Sequence, residues 1–346
     1  MKKIILAIVL IILLAQPVRA MAFNAPSVPD SGSAYMPQES ESFGKDLWYI
    51  VKNAIYAIKP EIAEAAGVCI GIAAIVLLAS MLSGISGKAK QLAEFASIIS
   101  ISVILLQATD VLIDLGTQTV MQISEYGKML LPVMTAAMAA QGSVSSSASL
   151  YTGTTIFSTI LTGFITHILV PMLYIFLCLC IASNAITDGI LGKLRNFIKW
   201  CITWGLKIIL YVFTGYMSIT GVVSGSADAS MIKATKLTIS GSVPVVGSIL
   251  SDASETILVS AGIMKNTAGV YGVLAIVSIL IVPFFKIGVQ YLLLKMTTAV
   301  CGVFGTKRTV SLIQDFTTTM GFVLAMVSTI SLLLTIAVVC FMKGVA

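Results

Sequence analysis

The residues best equipped for chemistry lie between Lys233 and Gly269. Lys233 and Lys236 precede a Gly/Pro-containing segment, and Asp252 and Glu255 follow it, with Lys265 beyond. Three-residue spacing puts each like-charged pair on one helical face. Apolar residues recur beside them at helical spacing: Ile232 and Ile239 in the first half, then Ile249, Ala253, Ile257 and Ala261. Between the halves runs Ser240-Gly-Ser-Val-Pro-Val-Val-Gly247, where glycines such as Gly241 can take positive φ and Pro244 cannot continue a helix. The pattern predicts two short amphipathic arms, one basic and one acidic, each below the ~20 residues needed to cross a bilayer. If the turn folds them together, lysines face carboxylates, and a partly buried pair of that kind sets register more than stability. Such a pair could line or gate a multi-helix assembly. The plainer reading is two interfacial helices with solvated polar faces.

Other chemistry finds little footing. A single histidine, His167, excludes the two-histidine zinc signature, and neither a G-x-S-x-G elbow nor a phosphate-binding lysine loop is present. His167 sits in an apolar run, where a backbone- or Thr-bonded imidazole is the expected state rather than a proton relay. Cys69, Cys178, Cys180, Cys201, Cys301 and Cys340 fall almost entirely in apolar runs. That is no disulfide framework, and Cys178 and Cys180 point to opposite sides of a helix. No catalytic group, metal site or cofactor is expected. Without a nucleotide site, any energy must come from a partner or a gradient.

The elements carrying these residues belong in lipid. Of 346 residues, 58% are hydrophobic and 10% charged, with a mean hydropathy of +1.02; soluble domains carry about 25% charged residues. The net charge of +6 contains no basic tract, so nucleic acid is excluded as a partner. The fold class expected is all-α: a polytopic integral membrane protein with a signal peptide and one or two partly inserted or interfacial helical hairpins.

Residues 1–20 read as a signal peptide: Lys2 and Lys3, an apolar run Ile4–Ala15, and small-residue exits at Ala20 or Ala22. The alternative is an uncleaved anchor. Residues 21–66 form an extracytoplasmic polar segment. Its Pro/Ser/Gly-rich part, Phe23–Ser42, is expected to be poorly ordered. Phe43–Ile58 is expected to be an amphipathic helix capped by Ser42 and stopped by Pro60, lying on a membrane surface or on a partner. Residues 67–346 form the multi-span domain, with six or seven spans. Gly67–Gly87 goes in, with Lys88 and Lys90 after it, and Phe95–Thr109 returns towards Asp110 and Asp114. Leu131–Ala140 is too short to cross and reads as a second partly inserted piece, ending at the polar break Gln141-Gly142. Leu150–Ala182 carries a kink at Pro171 and leads to the basic cluster Lys193, Arg195 and Lys199; Trp200–Val223 goes back out. Ala268–Phe285 and Thr317–Met342 are clear spans. Whether Gly288–Phe304 crosses is open, and with it the side of the C-terminus. Gly67-x-x-x-Gly71 and Gly221-x-x-x-Gly225 are candidate sites of close helix approach.

The segment around Pro244 resembles the stage III sporulation protein AE family of endospore-forming bacteria. The resemblance is carried by Ser240-Gly241, the Pro244-Val-Val-Gly247 turn, Asp252-Ala253 with Thr256, and Lys265-Asn266 followed by Gly269. Leu131-Pro132 with the small residues up to Gln141-Gly142 is a second, weaker match. Glu255 stands where the family leads one to expect Asp, and the polar N-terminal region is short. The resemblance implies a component of the secretion-like channel complex joining mother cell and forespore, supporting late forespore gene expression. It implies residence in the mother-cell membrane around the forespore, and partners among the other stage III sporulation A-operon proteins (ring formers, a cytoplasmic ATPase) and forespore protein Q. The rival class is an independent secondary transporter, for which His167, Lys207 and Lys295 are the few ionisable groups inside apolar runs.

Overall fold

The computed structural model describes residues 26–37, 42–82, 88–186, 189–242 and 247–343, and describes side chains over 26–37, 42–82, 90–186, 190–219 and 266–343. The signal peptide expected at 1–20 lies outside the described residues. Among those described, the chain is helical apart from short links: α1 (Asp30–Ser33), α2 (Phe43–Ala57), α3 (Lys59–Leu82), α4 (Lys88–Ala140), α5 (Val144–Phe164), a π-helical turn (Ile165–Leu169), α6 (Val170–Ala185), α7 (Gly189–Ser242), α8 (Gly247–Phe304) and α9 (Lys307–Lys343). Among the described residues, six stretches are long and apolar enough to cross a membrane.

α9 is the centre. Thr317, Met320, Val323, Met326, Val327, Ile330, Leu334, Ala337, Val338 and Phe341 are all buried, covering most of its circumference rather than one stripe. α4, α5, α6, α7 and α8 pack against it. Glycines set the closest approaches. Gly116 and Gly127 of α4 lie against Val323 and Leu334 of α9, so these two helices rise in the same direction. Gly269 of α8 meets Met342, and Gly288 is near Leu324, so α8 runs the opposite way. Gly67 and Gly71 have nothing within 4 Å of a Cβ position. Their motif therefore serves no close contact among the described residues, while the Gly221/Gly225 pair falls where side chains are not described.

The amphipathic helix at the N-terminal side forms nearly as its periodicity predicts. Asp46, Ile50, Ala54 and Ile58 make a buried stripe, and α2 lies against α8, part of the same chain. Trp48, at 67% exposure, with Tyr49 and Tyr56 faces away. Ser42 takes the extended N-cap conformation. Pro60 does not stop this helix; it falls in the first turn of α3, where a missing N–H leaves no bond unmade. The break is at Ile58, whose N–H still bonds the Ala54 carbonyl.

Two further sequence expectations are corrected. Phe23–Ser42 is not wholly unstructured: residues 26–37 dock on the bundle. The Ser31 hydroxyl donates to Gln122 Oε1 at 2.7 Å, and Gly32 lies so close to Ser278 and Ile279 of α8 that any Cβ would be about 2.8 Å from their side chains. Composition measures how little apolar area a segment owns, whereas docking uses area supplied by its neighbours. Secondly, Leu131–Ala140 is no separate insertion. It ends α4, a helix of 53 residues that passes through Pro132 and stops at Gly142, which has φ 90°. Gly288–Phe304, left open in the sequence, continues α8 as one helix. Charged and polar residues mark where lipid contact ends, but they do not interrupt i→i−4 bonding, so hydropathy cut these helices too early.

Pro171 does perturb its helix, as expected. It has no N–H for the His167 carbonyl, and the π turn Ile165–Leu169 precedes it. A second cross-element tie joins Lys286 of α8 to Glu61 of α3 at 2.6 Å, with about a third of each side chain exposed. At that exposure, Glu61→Gln should lower stability by less than about 1 kcal/mol. A small shift in thermal unfolding of the detergent-purified chain is the expected result.

Candidate functional site

The polar constellation nearest the turn after α6 is built from three elements. α6 ends with Asn184, α7 brings Arg195 one turn and a half after its start, and α9 brings Asp315 two turns after Lys307. Arg195 Nη1 donates to Asp315 Oδ2 at 2.7 Å, and Asn184 Nδ2 donates to the same oxygen at 3.1 Å. Asn184 Nδ2 also reaches the Cys180 carbonyl at 2.7 Å. The Arg195 and Asp315 side chains retain 21% and 13% of their exposure. Charge-assisted bonds at this distance are strong and directional, so the cluster locks α6, α7 and α9 in one register at a single end of the bundle. It has no reactive partner geometry, since both charges are used on each other.

That end gathers basic residues. Lys90 and Arg308 line one cavity with Glu94 and Ala185, and Lys193, Arg195 and Lys199 follow on α7. Trp200 and Trp204 are exposed beside them, with ring centroids 6.3 Å apart, as at a membrane–water boundary. At mid-bundle, Tyr174 donates to Asp110 at 2.6 Å, and the Ser124 and Ser158 hydroxyls are 3.5 Å apart.

The residues singled out in sequence are distributed as follows. Lys233, Lys236 and Gly241 fall within α7; Gly247, Asp252, Glu255, Thr256 and Lys265 fall within α8; no side chain among these eight is described. Pro244 lies outside the described residues. The two arms are thus the far ends of helices that begin at Gly189 and run to Phe304, not free-standing half-length helices. Asn266 is exposed. Gly269 is buried under Met342 of α9, where a side chain would overlap it. His167 is exposed on the π turn. Cys180 is buried and Cys178 exposed, opposite faces as their spacing requires. No group of three metal-capable side chains occurs among the described residues.

The Arg195–Asp315 pair escaped the sequence reading because its members are 120 positions apart. The available signal was Asp315 itself, an acid just before the apolar run that opens at Thr317.

Comparison with known proteins gives two findings. A family model described as stage III sporulation protein AE matches residues 35–344. The stage III sporulation protein AE of Bacillus subtilis (strain 168) is 21% identical over 231 residues, which cover 67% of this chain and 58% of that protein. The matched part therefore spans less than two thirds of the relative's length. No solved structure matches the chain.

Proposed function

Because the chain belongs to the stage III sporulation protein AE family, we propose that it is a non-enzymatic membrane component of the channel complex between mother cell and forespore. The observation that carries this reading is the height of α4. Its 53 residues rise ~80 Å at 1.5 Å each, against a hydrocarbon core of ~30 Å. A protein moving a small solute by itself needs helices matched to the bilayer and polar groups lining a path at its midplane. Here the described core around α9 is mostly Leu, Ile, Val, Met and Phe, its buried polar residues are uncharged Thr, Ser, Asn and Gln apart from Asp315 at one end, and the helices extend well past one bilayer thickness. Such extensions offer surface to other proteins.

In this reading the basic end of the bundle is cytoplasmic. Six crossings then put the polar N-terminal region and Lys343 on the outer side. The charges flanking Pro244, led by Lys236 and Asp252, form the contact set for the other A-operon proteins. Co-purification of the tagged full-length chain from sporulating cells tests this. The expected result is recovery of A-operon partners with the native sequence and their loss from a Lys236→Glu, Asp252→Lys variant that still reaches the membrane. Solute-specific flux by the purified chain alone, with no partner recovered, would establish a transporter instead.

A further inference from the structure

Between α7 and α9, closed below by Tyr291 of α8, lies a groove of about 400 Å³, within the ~300–1,000 Å³ typical of small-molecule sites. Its walls are Leu206, Leu210, Phe322 and Ala325, with four threonines whose hydroxyls are bonded to their own helix backbones, while Lys207 and Gln314 are its exposed polar residues. Along α9 it extends from Gln314 to Thr329, a rise of ~22 Å, more than the ~15 Å depth of one leaflet. It is therefore long, narrow and apolar, with one cation at its edge.

Lys207 is the informative residue. It lies within a candidate membrane span and is exposed, and among the described residues no carboxylate is in ion-pair reach of it. A bare ammonium facing lipid is costly. Its Nζ instead sits 5.9 Å from the ring centroid of Trp204, one turn nearer the basic end, so the stem bends back towards the tryptophan belt. That turns the positive charge towards the basic end, beside the groove walls Leu206 and Leu210.

We propose that this groove holds one anionic phospholipid, its phosphate on Lys207 and one of its two acyl chains between α7 and α9. The charge selects an anion, the depth selects a lipid rather than a soluble phosphate, and the apolar walls accept the chain. Gly321 supplies room for it: a Cβ there would meet only Tyr291, at 3.5 Å. The inference stands independently of any role in sporulation.

The test is native mass spectrometry of the delipidated full-length chain, titrated with equimolar phosphatidylglycerol and phosphatidylcholine in detergent. One phosphatidylglycerol per chain is expected to bind in preference to phosphatidylcholine. Lys207→Gln should weaken it by about tenfold, the loss of one charge-assisted contact. Gly321→Leu, which fills the groove while keeping Lys207, should abolish it without changing thermal unfolding of the lipid-free protein. Equal binding of the two lipids, binding that never saturates at one, or indifference to both substitutions would overturn the proposal.

Discussion

Arg195→Ala is expected to destabilise the protein by about 3–5 kcal/mol, the largest effect among surface-accessible charges here. Removing the guanidinium leaves Asp315, 13% exposed, with only the neutral donors Asn184 and Cys180 in place of its opposite charge. The penalty belongs to the stranded carboxylate rather than to the lost attraction, because bringing both ions out of water already consumed most of that attraction. Replacing both partners by residues of similar bulk, Arg195→Met with Asp315→Leu, should therefore return stability to near the native level. Unfolding of the purified full-length chain by denaturant titration in detergent distinguishes the cases. If the single and double variants unfold alike, the pair is a surface contact and carries no register between α7 and α9.

Gly153→Leu should be nearly as damaging, at the upper end of the ~1–3 kcal/mol that overpacking costs. Gly153 is buried on α5 directly beneath the ring of Tyr216 on α7. That ring cannot swing aside freely. Its hydroxyl donates to the Ser149 carbonyl at 3.0 Å, and Phe157 packs against it at 5.6 Å. The leucine must push the two helices apart. Adding Tyr216→Ala should recover much of the loss by opening space for the new side chain, at the expense of the tyrosine's own packing. The same unfolding measurement applies; no recovery in the double variant would mean that the helix, not the ring, is the obstacle.

Much of the fold could be read from local signals. α2 followed from Phe43, Leu47, Ile50, Ala54 and Ile58 with Ser42 ahead of them, and the stop at Gln141-Gly142 followed from a residue that tolerates positive φ. Apolar length led to six or seven crossings, and six of the described helical stretches are long and apolar enough for one. What could not be read was continuity. Hydropathy falls at Gly116, at Val223 and at Lys286, yet the backbone bonds run on through each, because nothing at those positions removes an N–H. Prolines at 132 and 283 do remove one, and the surrounding helices hold α4 and α8 together across them. Contacts far apart in sequence were equally invisible. Gly32 under Ser278 and Arg195 on Asp315 depend on which helices become neighbours, and no local spacing encodes that. Of the charges around Pro244, the sequence placed them on helix faces but misjudged the length of the helices that bear them.

The position of α9 has a consequence for biogenesis. It is the last described helix to leave the ribosome, yet five others are organised around it. Until it is threaded among them, Val323, Met326, Ile330 and Leu334 have no seat, and the glycine notches at Gly116 and Gly127 stand empty. The earlier helices also pack on one another, so what this final segment adds is the shared core that five of them face.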